Sequence, residues 1–151
     1  MIRSAKIYLL TMGALALLTV LSPALAADTV LTRVKVIHAA TGSAHIDPGL
    51  KDISQELKSV FRYTAYRLVN ETQMTLAVDQ EGKVALPGKR TLTVIPVNLT
   101  GKRIQYRIQI RKNKKKIFQT QVQLKNNRSI TIGGPKFNKG VLIFNISGQK
   151  N

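Results

Sequence analysis

The amino-acid sequence predicts an α+β domain that is mostly β: an antiparallel sheet or sandwich of about seven to nine strands with one amphipathic helix near its N-terminal end. Apolar and polar residues alternate with a period of two along Arg103–Arg111 and again along Lys116–Leu124, as they do in half-buried strands. Residues 48–61 instead repeat their apolar side chains with the period of a helix.

The two alternating runs predict a two-stranded ribbon around which the rest of the domain is organised. Their apolar faces coincide only if even-numbered residues lie opposite even-numbered ones, because a slip of one residue turns a strand over. The connection is then an odd-length loop of about three residues centred on Lys114, with a left-handed residue at or near Asn113. The predicted partners are Ile110 with Phe118, Ile108 with Thr120, Tyr106 with Val122, and Ile104 with Leu124.

The N-terminal residues have the pattern of a secretory signal. Positive charges at Arg3 and Lys6 precede the apolar run Ile7–Leu21, and an Ala-x-Ala site ends at Ala26. Cleavage near Ala26 divides the chain into a signal peptide, residues 1–26, and a single β-rich domain, residues 27–151. We therefore expect export to the periplasm or the extracellular space. An uncleaved signal that anchors the chain in the inner membrane is the alternative.

The first elements of the domain are a strand and the helix. Val30–His38 alternates as a strand, and the small residues of Ala39–Ala44 predict a loop. Asp47 is placed to cap a helix, and Pro48 suits its first turn, where a missing N–H costs nothing. The helix is expected to end near Phe61 and to dock on a sheet through one apolar stripe: Leu50, Ile53, Leu57 and Val60.

The remainder of the chain predicts strands and turns. Tyr63–Val69 alternates less cleanly than the other runs. The apolar residues around Ile95-Pro96 change phase, which indicates a bulge or an edge strand because proline cannot donate to a ladder. The nearly continuous apolar run Val141–Ile146 predicts an interior strand that closes the domain.

The charge distribution is strongly asymmetric. Residues 82–151 contain sixteen Lys and Arg and no Asp or Glu, whereas residues 27–81 contain six Lys and Arg and seven acids. The cations of the second half therefore have no carboxylate near them in sequence. Such a field favours a negatively charged partner: a polyanion, anionic lipid or an acidic envelope protein. Charge retained for solubility, or to protect strand edges from pairing, is the alternative.

The candidate anion-binding residues lie on the polar face and at the tip of the predicted ribbon. Their interleaving with glutamines offers both donors and acceptors to a phosphate- or carboxylate-rich polymer. The shortage of exposed aromatic residues for base stacking argues against a specific nucleic-acid site, and no small-molecule substrate is indicated. A tip that is merely solvated is the alternative. The candidates are Arg103, Arg107, Arg111, Lys112, Lys114, Lys115, Lys116 and Lys125.

The side chains that most enzyme mechanisms need are scarce. Cysteine is absent and no carboxylate follows Glu81. His38 and His45 are the two histidines, and Asp47 is the nearest carboxylate to them in sequence. The sequence therefore predicts no catalytic residue, no metal site and no cofactor. A small metal enzyme that depends on these histidines is the alternative from another functional class.

The segment Val122–Gly134 resembles a hairpin in the β-domain of outer-membrane secretins. In both, a V-x-L strand and a turn are followed by a [ST]-hydrophobic-x-hydrophobic strand that ends in two glycines. The likeness covers thirteen residues and departs from the family at Pro135, where secretins have an apolar residue. It implies an envelope β-module that assembles by strand pairing with a secretion or pilus apparatus.

Taken together, these features predict an exported, non-enzymatic module of the bacterial envelope that binds or assembles through a basic, glutamine-rich β face. An accessory protein-interaction subunit of a secretion-type apparatus is the alternative within the same class.

Overall fold

A computed structural model describes residues 26–151 and forms a β-sandwich with a helical segment on one side. One sheet has the strand order β2-β3-β1-β9-β8 and the other has the order β4-β5-β6-β7. This confirms the prediction of a mostly β, antiparallel domain with one helix. The strands are β1 (Thr29–Ala40), β2 (His45–Ile46), β3 (Ala65–Ala77), β4 (Gly82–Leu86), β5 (Arg90–Thr100), β6 (Arg103–Lys112), β7 (Lys115–Lys125), β8 (Arg128–Phe137) and β9 (Gly140–Lys150).

The predicted signal peptide falls outside the described residues except for Ala26, so its cleavage stays a prediction. Between residues 26 and 151, no helix has the length and apolar character that crossing a membrane requires.

The main core lies between the two sheets. The alternation of β6 buries one face completely, so that Tyr106 and Ile108 have no exposed surface. Val34 and Val36 of β1 and Phe144 of β9 meet that face from the other sheet. Burying side chains of this size contributes roughly 1.5–3 kcal/mol each, which makes this layer the principal source of stability.

A second core lies on the other face of the five-stranded sheet. The helix consists of a 3-10 segment, Pro48–Ile53, followed by α1, Ser54–Val60. Leu50, Ile53 and Leu57 pack there against Ile37, Tyr66 and Ile143 of the sheet. Pro48 occupies the first turn and Phe61 the C-cap, as the sequence predicts.

Two predictions about this helix are wrong. Asp47 makes no capping hydrogen bond, because its carboxylate instead contacts His45 and the Leu68 backbone N–H. Val60 is 58 % exposed. The first part of the helix has 3-10 geometry, with about three residues per turn rather than 3.6. Apolar side chains spaced for an α-helix therefore do not all face the sheet, and the fourth of them, Val60, is exposed.

Bulges explain the segments where the alternation is irregular. In β3, Val69 has no partner between Asn70, opposite Val36, and Leu68, opposite Ile37. The residues of β3 therefore change faces within one continuous strand. In β5, Val97 is unpaired in the same way. The pairing of β4 with β5 ends at Val94, so the Pro96 half of β5 is both bulged and at an edge, as predicted.

The ribbon of β6 and β7 has the predicted register at all four pairs, from Ile104 with Leu124 to Ile110 with Phe118. The turn differs from the prediction. It contains two residues, Asn113 (φ 49°) and Lys114 (φ 65°), and the extra residue is a bulge at Ile117. A left-handed Asn113 is confirmed, and the bulge shows why residue counting suggested an odd-length loop.

The segment that resembles a secretin hairpin is not a hairpin here. Its first strand belongs to β7 in the four-stranded sheet, whereas its second belongs to β8 in the five-stranded sheet. The Asn126-Asn127 turn carries the chain from one sheet to the other. The apolar residues Ile130 and Ile132 still pack against the main core, as the continued even-numbered face predicts.

Candidate anion-binding surface

The outward face of the four-stranded sheet carries most of the candidate residues. Because Ile104 and Tyr106 point into the core, the odd-numbered residues of β6 lie on the outward face of the sheet. Register then places Lys125 opposite Arg103 and Lys116 opposite Arg111 on that same face. β4 adds a cation that the sequence analysis did not select. The basic face is the set Lys83, Arg103, Arg107, Arg111, Lys116 and Lys125.

The remaining three candidates lie at the end of the ribbon. Lys112 pairs with Lys115, and Lys114 occupies the turn between them. All three side chains are exposed. We refer to Lys112, Lys114 and Lys115 as the lysine tip. The structure thus brings five of the eight predicted residues together on one face and the other three to its end.

Almost none of this charge is compensated. Among the sixteen cations of residues 82–151, all of them in the described part of the chain, Lys83 alone lies within ion-pair distance of a carboxylate, 3.5 Å from Glu81. Two acids of the first half pair instead with cations of that half: Glu71 with Arg33 at 3.6 Å and Asp52 with Lys35 at 2.8 Å. The basic face and the lysine tip therefore keep a strong positive field.

Glutamines join β6 to β7 on the basic face. Gln105 donates to the Gln121 oxygen at 3.1 Å, and Gln109 donates to the Gln119 oxygen at 2.9 Å. We call these four residues the glutamine ladder. Lys116 also donates to the Gln119 oxygen at 2.9 Å. Because an ammonium group has no acceptor to offer, this contact fixes which way the Gln119 amide points.

Gln119 and Gln121 leave hydrogen-bond donors directed at solvent. Within residues 26–151, the hydrogen bonds of Gln119 and Gln121 use their side-chain oxygens, and their NH₂ groups make none. Both side chains are exposed. Their NH₂ groups add neutral donors between the cations of the face, a combination that suits phosphate and carboxylate oxygens.

The basic face carries no aromatic side chain. Tyr106 lies in the main core without exposed surface, and Tyr66 is 1 % exposed in the second core. By register, Phe118 points to the core side of β7. The surface therefore lacks the stacking platforms of single-stranded nucleic-acid sites.

The two histidines occupy separate environments. The Nε2 atom of His38 lies 3.2 Å from the Phe137 carbonyl oxygen, and its ring packs edge-on against the Phe137 ring. The Nε2 atom of His45 lies 2.6 Å from Asp47 Oδ1. In residues 26–151, no group of three or more potential ligands is arranged to hold a metal ion.

The Asp47 carboxylate is held in its ionised form. The hydrogen bond from His45 lowers its pKa, and the Leu68 N–H, donating to Oδ2 at 2.7 Å, lowers the pKa further. These contacts join β2, the start of the helical segment and β3. The pair therefore links the loop after β1 to the five-stranded sheet, whereas the basic face belongs to the four-stranded sheet.

Sequence reasoning missed two cations that border the surface. Lys83 lies on β4, whose alternation of exposed and buried residues could have revealed its outward direction. Lys89 lies in the β4–β5 turn beside the ribbon, and no local pattern marks it. Comparisons with protein-family models, with curated proteins and with solved structures find no match for the chain.

Proposed function

We propose that this protein is an exported, non-enzymatic module of the cell envelope that holds an anionic polymer along its basic face. The observation that carries the proposal is the uncompensated charge of that face, where Lys83 alone has an acidic partner among residues 26–151. Export is proposed from the signal-like pattern of residues 1–26.

The spacing of the arginines favours an extended ligand. Arg103, Arg107 and Arg111 follow one another at every fourth residue of β6. A strand rises about 3.3 Å per residue, so successive guanidinium-bearing positions are about 13 Å apart along a nearly straight line. A chain with repeated negative charges can contact all three at once, and each contact after the first then costs less entropy.

A salt-dependent binding assay tests the proposal. Retention on immobilised heparin, used as a model anionic polymer, is expected to fall steeply as salt rises to physiological strength, about 0.15 M. Changing Arg103, Arg107, Arg111 and Lys116 to Gln is expected to weaken retention about tenfold or more. The proposal fails if this variant is retained like the unaltered protein.

The chain supplies a matched control for this experiment. Four exposed cations lie on or beside the helical segment, away from the basic face, so neutralising them changes the net charge by the same amount. Retention of this control is expected to stay close to that of the unaltered protein. Equal losses of retention in both variants would mean that binding to heparin depends on net charge alone and not on the basic face. The control residues are Lys51, Lys58, Arg62 and Arg67.

A second candidate is an anionic membrane surface, favoured by two apolar residues beside the lysine tip. Ile117 is 48 % exposed and Phe118 is 38 % exposed. Lysines next to exposed apolar side chains suit the interface of an anionic bilayer. Phe118→Ser is expected to reduce binding to phosphatidylglycerol vesicles, and leave heparin retention intact, only if the membrane is the ligand.

A further inference from the structure

A cavity of about 330 Å³ opens at the end of the basic face, where two turns lie side by side. One turn, Pro87-Gly88-Lys89, joins β4 to β5, and the other, Asn113-Lys114, joins β6 to β7. The side chains that line the cavity include Lys83, Lys89, Thr91, Thr93, Arg111 and Lys114.

The charge of the cavity is strongly positive. Four cations line it, against the single carboxylate of Glu81, which leaves three formal positive charges in excess. Glu81 lies 3.5 Å from Lys83 and offsets that lysine in part. Lys89, Arg111 and Lys114 have no ion-pair partner within residues 26–151. A compact anion would meet cations from both turns.

Two of these lysines have an unusual backbone conformation. Lys89 (φ 56°) and Lys114 (φ 65°) are left-handed. The other left-handed residues of 26–151, glycine aside, are the aspartate and asparagines that adopt this region with least strain. Both lysines border the same cavity, where an asparagine or glycine would fit the backbone better. The others are Asp79, Asn113, Asn127 and Asn138.

The guanidinium group of Arg111 has two long contacts within the basic face. Its Nη1 atom donates to the Lys114 carbonyl oxygen and its Nη2 atom to Gln109 Oε1, each at 3.5 Å. Gln109 is itself 8 % exposed and is fixed by its bond to Gln119. Gln109 therefore offers Arg111 an acceptor within the glutamine ladder, at the outer limit of hydrogen-bond distance.

We propose that this cavity binds a phosphate monoester of the polymer, at a chain end or on a side branch, together with its attached sugar. A phosphate monoester carries up to two negative charges on tetrahedrally arranged oxygens, so ammonium groups on both turns and the Arg111 guanidinium can engage it together. Thr91 and Thr93 add hydroxyl groups to the lining. A planar carboxylate, with one charge, engages fewer of these groups.

The size of the cavity exceeds what a bare phosphate needs. On this measure of volume one water molecule needs about 10–15 Å³, so a cavity of about 330 Å³ has room for a phosphate and more. That the phosphate belongs to an anionic polymer rests on the proposed function. Whether the cavity binds a phosphate group can be tested independently of that function. Free phosphate and a phosphorylated sugar share the same chemistry, and the experiment separates them.

An NMR titration of the whole domain tests the site. Glucose 6-phosphate is expected to give saturable shifts at the backbone amides of Lys89, Thr91, Thr93 and Asn113. Inorganic phosphate is expected to bind at the same amides more weakly, and glucuronate about fivefold more weakly than glucose 6-phosphate. Equal affinity for glucuronate overturns the preference for phosphate. Absence of saturable shifts at these amides overturns the site.

Substitutions at the left-handed lysines distinguish an effect of the lost charge on binding from an effect on the fold. Lys89→Asn and Lys114→Asn suit their backbone conformations, and each is expected to weaken glucose 6-phosphate binding about fivefold without loss of fold. Glu81→Gln is expected to tighten binding, because it removes the one negative charge of the lining. Lys51→Gln, on the helical segment, is the control and is expected to leave affinity unchanged. Unaltered affinity in both lysine variants overturns the inference.

The two proposals fail in different ways. If heparin retention depends on the basic face but glucose 6-phosphate does not bind, the phosphate site is wrong and the polymer-binding function stands. If glucose 6-phosphate binds the cavity but the four-residue variant of the basic face keeps its heparin retention, the phosphate site stands and the polymer-binding function is wrong.

Discussion

The hydroxyl groups of Tyr106 and Thr32 lie 2.7 Å apart and form a hydrogen bond between the two sheets across the main core. Both residues are fully buried. Burial raises the pKa of Tyr106 to about 12, although the bond to Thr32 acts in the opposite direction. The phenol therefore stays protonated at any physiological pH, and each of the two buried hydroxyl groups has the other as a hydrogen-bond partner.

We expect Tyr106→Phe to destabilise the fold by about 1–3 kcal/mol, because the Thr32 hydroxyl would keep only the Val30 carbonyl at 3.5 Å as a partner. Urea denaturation measures this as a lower midpoint with an unchanged slope. Combining Tyr106→Phe with Thr32→Val removes both hydroxyls and is expected to cost less than the two single changes added together. Additive effects would show that the two hydroxyls do not interact.

The helical segment is tied to the sheet by Lys35 and Asp52. Lys35 is buried, and its Nζ atom donates to both Asp52 oxygens at 2.8 Å and to the Gly49 carbonyl at 3.0 Å. We expect Asp52→Ala to cost about 1–3 kcal/mol, since it removes the counter-charge of a buried ammonium. Glu56→Ala, one turn further along, is the control and is expected to be nearly neutral. A neutral Asp52→Ala would contradict this role.

The lowered pKa of Asp47 predicts a specific acid sensitivity. The His45 hydrogen bond is the main cause and the Leu68 N–H the second. A carboxyl whose pKa is lower in the folded state adds stability above its unfolded value, about 3.9, and loses that contribution as pH falls through the folded value. Unaltered protein should therefore be more stable than Asp47→Asn at pH 6, and the difference should shrink below about pH 4.

Urea midpoints measured across this pH range test that expectation. A difference for Asp47→Asn that stays constant with pH would show that ionisation of the carboxyl contributes nothing to folding.

Because Lys114 is left-handed, we expect its replacement by glycine to raise stability while it lowers binding. A two-residue turn with two positive φ angles prefers glycine second, so Lys114→Gly is expected to stabilise the fold by about 1 kcal/mol. The same change should weaken heparin retention, because it removes a cation of the lysine tip. Thermal denaturation and salt elution measure the two effects on one variant.

A second turn supplies the control for this expectation. Lys139 follows the left-handed Asn138 in the β8–β9 turn and does not itself belong to the left-handed residues of 26–151. Lys139→Gly is therefore not expected to stabilise the protein. Loss of stability in Lys114→Gly would mean that the lysine serves the fold rather than the ligand.

The sequence was sufficient to predict β6 and β7 because their pattern is local and strict. Residues that alternate without interruption leave one register that buries all the apolar side chains, and Tyr106 opposite Val122 is a result of that constraint. The same constraint identified the outward face, and with it Arg103, Arg107 and Arg111.

Features set by distant contacts were not predictable in this way. The partner of Asp47 is the Leu68 N–H, which is brought close by the fold rather than by helix capping. At Asn127 the chain passes from one sheet to the other. The sequence around this turn has the pattern of an ordinary hairpin, so nothing in it predicts the change of sheet. Lys89 lines the cavity because two turns from separate strand pairs lie side by side. The spacing of residues along one strand cannot predict which turns become neighbours.

Mapping the contact surface of a short heparin oligosaccharide by amide chemical shifts tests the central claim most directly. We expect the perturbed residues to follow the outward positions of β6 and β7, from Arg103 to Arg111 and from Lys116 to Lys125, and we expect the shifts to disappear in high salt. Perturbations confined to the five-stranded sheet or the helical segment would contradict it.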